Sequence, residues 1–155
     1  MARLLFLDVD GVLNSHDFLY RPDRPQLDYD LHTAHMQMDP KAVSRLNTIL
    51  RVTEAKVVIS SSWRHGWALE EMQLILKNAG FVGEILGYTP QYGHNRGHEI
   101  EQWIEAHDEG HDPFVILDDD SDMGPLMKYL VKTQFAHGLL DEHVEEAIRR
   151  LRGGS

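Results

Sequence analysis

The sequence predicts an α/β protein with a mainly parallel sheet and helices on both of its faces. Short apolar runs rich in branched side chains alternate along the chain with segments of helical periodicity. The first run is continuously apolar, which is typical of a strand buried on both faces. With 155 residues, of which 42% are hydrophobic, the chain is long enough for one domain with a substantial core. We expect a single domain over residues 1–152 and a disordered tail at 153–155.

Each element is predicted from its local pattern. Residues 3–9 give the first strand, and Asp39 followed by Pro40 predicts the N-cap and first turn of a helix. We expect Gly80 to end the next helix, which begins near residue 67, and Asp141 to cap the last helix. The remaining elements are a helix from near Arg96 and strands at 56–60, 82–88, 113–117 and 129–133.

Residues 12–38 fit no regular element. This stretch is rich in Asp, His, Pro and Tyr, and it is longer than an ordinary connection between a strand and a helix. Long loops at the carboxyl end of a strand often carry function. We therefore expect a flap, or minimal cap, at about 12–38 above a functional site.

Composition and charge exclude several classes of protein. The chain has 25 Asp and Glu against 15 Lys and Arg, a formal charge of −10. This excess of negative charge argues against a broad nucleic-acid-binding face and against binding to an anionic membrane surface. A local phosphate-binding site remains compatible with it. The absence of cysteine excludes disulfides, thiolate metal sites and a cysteine nucleophile. No signal peptide or membrane-spanning segment is predicted, so we expect a cytoplasmic protein; the oligomeric state is not predicted.

Polar side chains follow three of the predicted strands. Asp8 and Asp10 end the first strand, Ser60 ends the second, and three aspartates at 118–120 follow the fourth. The carboxyl ends of parallel strands lie at one edge of a sheet, where ligands bind in open α/β folds. We therefore expect these groups to meet at one site.

The chemistry of these groups favours phosphoryl transfer. Carboxylates two residues apart on an extended chain point the same way, and their repulsion favours a bound cation such as Mg²⁺. Asp8 is placed to act as a nucleophile toward phosphorus. Asp10 is placed to protonate the leaving oxygen and later to activate water. We expect Ser60 and Arg96 to hold the phosphoryl oxygens.

These residues resemble the motifs of the haloacid dehalogenase (HAD) superfamily of phosphohydrolases. Residues Leu5–Leu13 (LFLDVDGVL) look like its first motif, and Val57–Ser60 is similar to its second. Arg96 stands where the third motif has Lys or Arg, and Val115–Asp119 resembles the acidic fourth motif. The resemblance covers about residues 3–152, and it implies a Rossmann-like HAD fold with a minimal cap or none.

The resemblance also implies a mechanism and a set of metal ligands. Asp8 would form an aspartyl-phosphate, with Asp10 as general acid and base. Mg²⁺ would be held by Asp8, by the backbone carbonyl of Asp10, and by Asp118 or Asp119. Three consecutive aspartates leave the choice between the last two open.

A narrower resemblance concerns the substrate. The segments Ser60–Arg64 and Arg96–Ile100, the aspartate triplet, Thr133 and Gly138–Leu139 together resemble a small HAD branch associated with nucleic-acid (RNA) repair proteins. That branch implies a nucleotide or a phosphorylated nucleic-acid end as substrate.

Three further residues are candidates for substrate binding, namely Gly11, Ser61 and Arg64. Two alternative functions stay open at this point. One is a phosphatase of another small metabolite, and the other is a catalytically idle HAD domain that binds or regulates.

Overall fold

The computed structural model describes residues 3–25, 28–90, 95–107 and 113–153. Its centre is a five-stranded sheet with the order β3-β2-β1-β4-β5, in which all neighbouring strands are parallel. The strands are β1 (Leu4–Leu7), β2 (Lys56–Ile59), β3 (Ile85–Tyr88), β4 (Phe114–Asp118) and β5 (Leu130–Lys132). The prediction of a mainly parallel α/β fold is thus confirmed. Of the predicted tail, residues 154 and 155 lie outside the described part.

Among the described residues, five α-helices and three short 3₁₀ helices connect and cover the strands. The α-helices are α1 (His16–Leu19), α2 (Pro40–Thr53), α3 (Leu69–Asn78), α4 (Arg96–His107) and α5 (Asp141–Leu151). The 3₁₀ helices are Ala34–Gln37, Ser62–His65 and Gly124–Tyr129.

The predicted helix ends are confirmed at two positions and wrong at a third. Asp39 caps α2, since its side chain accepts the Lys41 N–H at 3.0 Å. Gly80 follows α3 with a φ of +99°, the left-handed conformation that commonly ends a helix. Asp141 is the first residue of α5 rather than its cap, and its carboxylate instead accepts a bond from Arg45 at 3.0 Å.

The central strand β1 is buried on both faces, as its continuous apolar sequence predicts. Leu5 and Leu7 pack into one half of the core, and Leu4 and Phe6 pack into the other. The same alternation continues in β2 and β4, because successive side chains of a strand point to opposite faces. Helices α2, α3 and α5 cover the first face, and α4 covers the second.

The first strand is shorter than the sequence predicts, and the reason bears on the site. The carbonyl of Val9 accepts the N–H groups of Val12 at 3.1 Å and Leu13 at 2.8 Å, so the chain turns directly after Asp8. This turn presents Asp8 and Asp10 at the end of the strand instead of within it.

The first residues after β1 are packed into the interior of the fold. Val12, Leu13, Asn14 and Ser15 are all buried, and the Val12 carbonyl accepts the Leu139 N–H at 2.9 Å. Residues 16–38 of the described part contain only α1 and one 3₁₀ helix as helical elements. The chain thus has no large cap in this part, and the role of a flap at 12–38 stays a prediction.

No helix among the described residues is long and apolar enough to cross a membrane.

Candidate active site

The ends of the three central strands bring the predicted residues to one edge of the sheet. The Asp8 N–H bonds the carbonyl of Leu117 at 3.0 Å, and the Ser60 N–H bonds that of Leu7 at 2.8 Å. Asp118 is the last residue of β4. Asp8 and Asp118 lie where the strand order reverses, between β1 and β4, which is where open parallel sheets bind ligands.

Three carboxylates form a compact acidic cluster at this edge. Asp8, Asp118 and Asp119 each offer an oxygen, and these oxygens lie within 4.8 Å of one another. Asp8 and Asp118 are buried, and Asp119 is partly exposed. Both candidates from the aspartate triplet therefore join Asp8. The side chain of Asp120 points elsewhere, as it is exposed and accepts the Asp122 N–H at 3.1 Å.

Gly11 allows Asp119 to approach this cluster. Its φ is +84°, and a β-carbon at this position would lie 2.2 Å from Oδ2 of Asp119. Its carbonyl also accepts the hydroxyl of Thr133 at 2.6 Å, in a buried bond. The sequence predicted that Gly11 binds substrate. In the structure, the absence of a side chain at Gly11 leaves the space that Asp119 occupies.

Arg96 lies between two of the carboxylates. Its Nη1 is 3.1 Å from Asp8 Oδ1 and 2.8 Å from Asp118 Oδ2. Arg96 is the first residue of α4, a position fixed by two neighbours. Asn95 accepts the His98 N–H at 2.6 Å, and a β-carbon at Gly97 would lie 2.2 Å from the carbonyl of Met123.

The role of Gly97 was missed in the sequence, where it stood only as part of the Arg96–Ile100 motif. Its N–H bonds the carbonyl of Asp122 at 3.0 Å, which ties the start of α4 to the loop after β4. A glycine directly after a basic residue at a predicted helix start is the signal that marks such a close approach.

Burial and like charge perturb the acidic groups. Burial, together with the carboxylate of Asp118, raises the pKa of Asp8 to about 8 against the opposing effect of Arg96. Burial likewise raises the pKa of Asp118, while Arg96 lowers it. Burial disfavours the charge of Arg96, but the carboxylates of Asp8 and Asp118 outweigh this and raise its pKa above the usual range. The site is therefore short of positive charge.

Ser60 carries a buried hydroxyl without a partner. The side chain is 1% exposed, and its Oγ makes no hydrogen bond in the structure. An unpaired buried hydroxyl costs free energy, so its presence beside Asp8 is typical of a group kept for a ligand.

The other two predicted substrate contacts are occupied within the protein. The Ser61 hydroxyl accepts the Trp63 N–H at 3.2 Å and caps the 3₁₀ helix that follows. Arg64 is buried and donates to Glu99 at 2.7 Å and to the Ser61 carbonyl at 3.0 Å. These contacts connect the loop after β2 to α4. Nε of Arg64 is buried and has no hydrogen-bond partner among the described residues, so the assignment of Ser61 and Arg64 to substrate binding stays a prediction.

Asp10 lies beside the acidic cluster without joining it. Its side chain is exposed, and its Oδ1 accepts the amide of Asn14 at 2.9 Å and the indole N–H of Trp63 at 3.1 Å. Asn14 also accepts the Gly11 N–H at 3.0 Å. Two donors on one oxygen fix the carboxylate, and its exposure leaves it accessible to a bound molecule.

The cluster fits a small divalent cation by the chemistry of its donors. Carboxylate oxygens are the ligands that Mg²⁺ prefers, and here three converge. Two buried carboxylates, those of Asp8 and Asp118, face the single guanidinium of Arg96, so the charge of this group is net negative when both are ionised. A cation held by Asp8, Asp118 and Asp119 would supply the missing charge.

A parallel sheet with this strand order, an acidic cluster at the carboxyl ends of its strands and Arg96 at the start of α4 are the features of a HAD-type domain. Residues 4–144 match the family described as the HAD domain in Swiss Army Knife RNA repair proteins. The chain belongs to this family, which confirms the resemblance seen in the motifs. Comparison with curated proteins and with solved structures gives no match.

Proposed function

We propose that the protein is a Mg²⁺-dependent phosphatase that hydrolyses phosphomonoesters through an aspartyl-phosphate on Asp8. The observation that carries the proposal is the arrangement at the strand ends. A buried carboxylate with a perturbed pKa, a buried hydroxyl without a partner and a guanidinium lie side by side in a family of hydrolases. Perturbed titratable groups of this kind are concentrated at active sites.

In the first step, an Asp8 oxygen attacks phosphorus, and the bond from phosphorus to the leaving oxygen breaks. Asp10 donates its proton to that oxygen, which leaves as an alcohol. The exposed position of Asp10 and its fixation by Asn14 and Trp63 support this assignment. In the second step, Asp10 accepts a proton from a water molecule whose oxygen attacks phosphorus. The bond from phosphorus to the Asp8 oxygen breaks, inorganic phosphate leaves, and the Asp8 carboxylate is restored.

The remaining groups bind and balance charge. The Ser60 hydroxyl and the Arg96 guanidinium hold the non-bridging phosphoryl oxygens. When bound by Asp8, Asp118, Asp119 and the carbonyl of Asp10, Mg²⁺ would supply positive charge that favours the ionised nucleophile and offsets the charge of the phosphoryl group.

As substrate we propose a nucleotide or a phosphorylated nucleic-acid end. The family occurs in RNA repair proteins. The helical elements of the described part include no large cap that would enclose a small metabolite. The charge of −10 argues against a broad basic face, so a polynucleotide would be held mainly at its terminal phosphate. We also propose a single domain and a cytoplasmic location.

The test replaces Asp8 by Asn and measures hydrolysis of an aryl phosphate with and without Mg²⁺. We expect D8N to lose at least about 1,000-fold in kcat with an intact fold, because the amide cannot act as the nucleophile. E84Q is the matched control, since Glu84 pairs with Lys56 at the start of β2, at the opposite edge of the sheet. Full activity of D8N would refute the mechanism.

The substrate is tested with a panel that contains 3′- and 5′-phosphorylated oligonucleotides, nucleotides and small phosphorylated metabolites. A preference for a metabolite supports the alternative phosphatase. Failure to hydrolyse any ester with Mg²⁺ present supports an idle binding module.

A further inference from the structure

An aromatic surface begins two residues after Asn14, which bonds Asp10 of the proposed active site. Tyr20 is 64% exposed and Phe135 is 41% exposed, and they are the two aromatic members among the large exposed apolar side chains of the described part. Both rings contact His16, at centroid distances of 4.7 Å for Tyr20 and 6.5 Å for Phe135. We call His16, Tyr20 and Phe135 the aromatic surface.

The backbone holds this surface in place. The His16 N–H bonds the carbonyl of Phe135 at 2.7 Å, and the Asp17 N–H bonds that of Ala136 at 3.2 Å. Gly138, with a φ of +71°, packs so tightly here that a β-carbon would lie 3.0 Å from the carbonyl of Asn14. The rings are thus preorganised, and a ligand that stacks on them loses little conformational entropy to ordering the protein.

The surface is close to the catalytic residues along the chain. The Asn14 amide donates directly to Asp10. His16 follows Asn14 by two residues, which limits the distance between the Cα atoms of Asn14 and His16 to about 7 Å. Tyr20 follows His16 by about one helical turn, or about 6 Å. A polymer with its terminal phosphate at Asp8 would therefore have its next units within reach of Tyr20.

The charges around the surface suit a phosphate-containing polymer. Arg24 is exposed, and its guanidinium carbon lies 5.6 Å from the centre of the Tyr20 ring. Its Nη1 donates to the carbonyl of Leu19 at 2.7 Å, and no carboxylate among residues 3–25, 28–90, 95–107 and 113–153 forms an ion pair with it. Of the acidic groups close to Arg24 in the chain, Asp23 pairs with Arg21 at 3.5 Å, and Asp17 is hydrogen-bonded to Nδ1 of His137 at 2.8 Å.

We infer that the aromatic surface binds the unpaired bases next to the terminal phosphate of a single-stranded nucleic acid, with Arg24 against a following phosphate. This inference deepens the proposed function and rests on it. Aromatic rings bind single strands by stacking, without a broad basic face, and this agrees with the charge of −10.

The first test compares KM for a phosphorylated six-nucleotide single strand with KM for an aryl phosphate. Stacking contributes about 1–3 kcal/mol per base, so we expect Y20A to raise the oligonucleotide KM about 5-fold to 150-fold. The aryl phosphate kcat should not change. Y20W should retain the wild-type KM, F135A should raise it, and V82A, at an exposed apolar side chain elsewhere, should have no effect.

The second test measures binding of the same oligonucleotide by fluorescence anisotropy at several salt concentrations. Each phosphate contact to a single strand contributes a slope of about −0.7 in log K against log salt. We expect R24A to reduce the slope by about this amount and Y20A to weaken binding with the slope unchanged.

The outcomes separate the two proposals. If the wild type hydrolyses no phosphate ester but binds the oligonucleotide more tightly than Y20A does, the proposed function fails and the aromatic surface is supported. If KM and Kd for the oligonucleotide are the same in the wild type, Y20A and F135A, the inference is overturned, which is also the result expected if a protein partner occupies the surface.

Discussion

The contact between Gly11 and Asp119 gives the sharpest prediction for the site. A β-carbon at Gly11 would lie 2.2 Å from Oδ2, 2.4 Å from Cγ and 2.8 Å from Cβ of Asp119. Real β-carbons keep at least 3.0 Å from such atoms, so in G11A the Asp119 carboxylate must move by about 0.8 Å or rotate away. Either movement displaces the carboxylate of Asp119 relative to the carboxylates of Asp8 and Asp118.

The expected effect has two parts. An alanine at a φ of +84° destabilises the fold by about 1–2 kcal/mol, whatever surrounds it. The displaced carboxylate adds a loss of cation affinity, and a tenfold weaker affinity removes about 1.4 kcal/mol of the stabilisation that excess Mg²⁺ provides. The second part appears only when the cation is present.

The assay is urea unfolding of wild type and G11A, each with EDTA and with Mg²⁺. G80A is the matched control, because Gly80 also has a positive φ, of +99°, and a β-carbon there would have no atom within 4 Å. We expect similar losses for both variants in EDTA and a reduced response to Mg²⁺ for G11A alone. The steric argument is refuted if G11A responds to Mg²⁺ as fully as G80A does.

Three further predictions test other parts of the site. S60A should lower kcat/KM for an aryl phosphate at least tenfold while the free energy of unfolding stays equal or rises by about 1 kcal/mol, because an unpaired buried hydroxyl is removed; a clear loss of stability would contradict this. W63F removes one donor from Asp10 and should lower kcat about 5-fold to 10-fold, against which an unchanged kcat would argue. In EDTA, the free energy of unfolding should fall by up to about 1.4 kcal/mol per unit as the pH rises from about 4 to 8. The raised pKa of Asp8 lets the folded chain keep a proton that the unfolded chain has lost, so this contribution is complete below pH 4 and lost at pH 8; D8N should flatten the dependence.

The meeting of Asp8, Ser60, Arg96 and Asp118 was predictable because it needs only local patterns and one rule of topology. Apolar runs locate the strands, and parallel order places their carboxyl ends together. Arg96 follows from its position at the start of the helix before β4. These predictions hold even when the predicted bounds of a strand or helix are wrong by one or two residues.

The contacts of Ser61, Arg64 and Gly11 were not predictable in the same way. The Ser61 hydroxyl caps a 3₁₀ helix, and Arg64 pairs with Glu99, which lies 35 residues away. Glycine is needed at position 11 because of the conformation of Asp119, which follows a different strand, β4. Each contact requires the packed structure, because its two partners are set by different elements.

In the proposed function, the segment after β1 supplies the substrate recognition that no large cap provides in the described part of the chain. Its first residues fix Gly11 and Asp10 through Asn14, and its continuation at His16 begins the aromatic surface. Residues 133–139 contact both parts. The Thr133 hydroxyl donates to the Gly11 carbonyl, and the carbonyl of Phe135 accepts the His16 N–H. Chemistry and recognition therefore depend on one packed segment, so a substitution that loosens it should impair turnover of small esters and binding of longer substrates together.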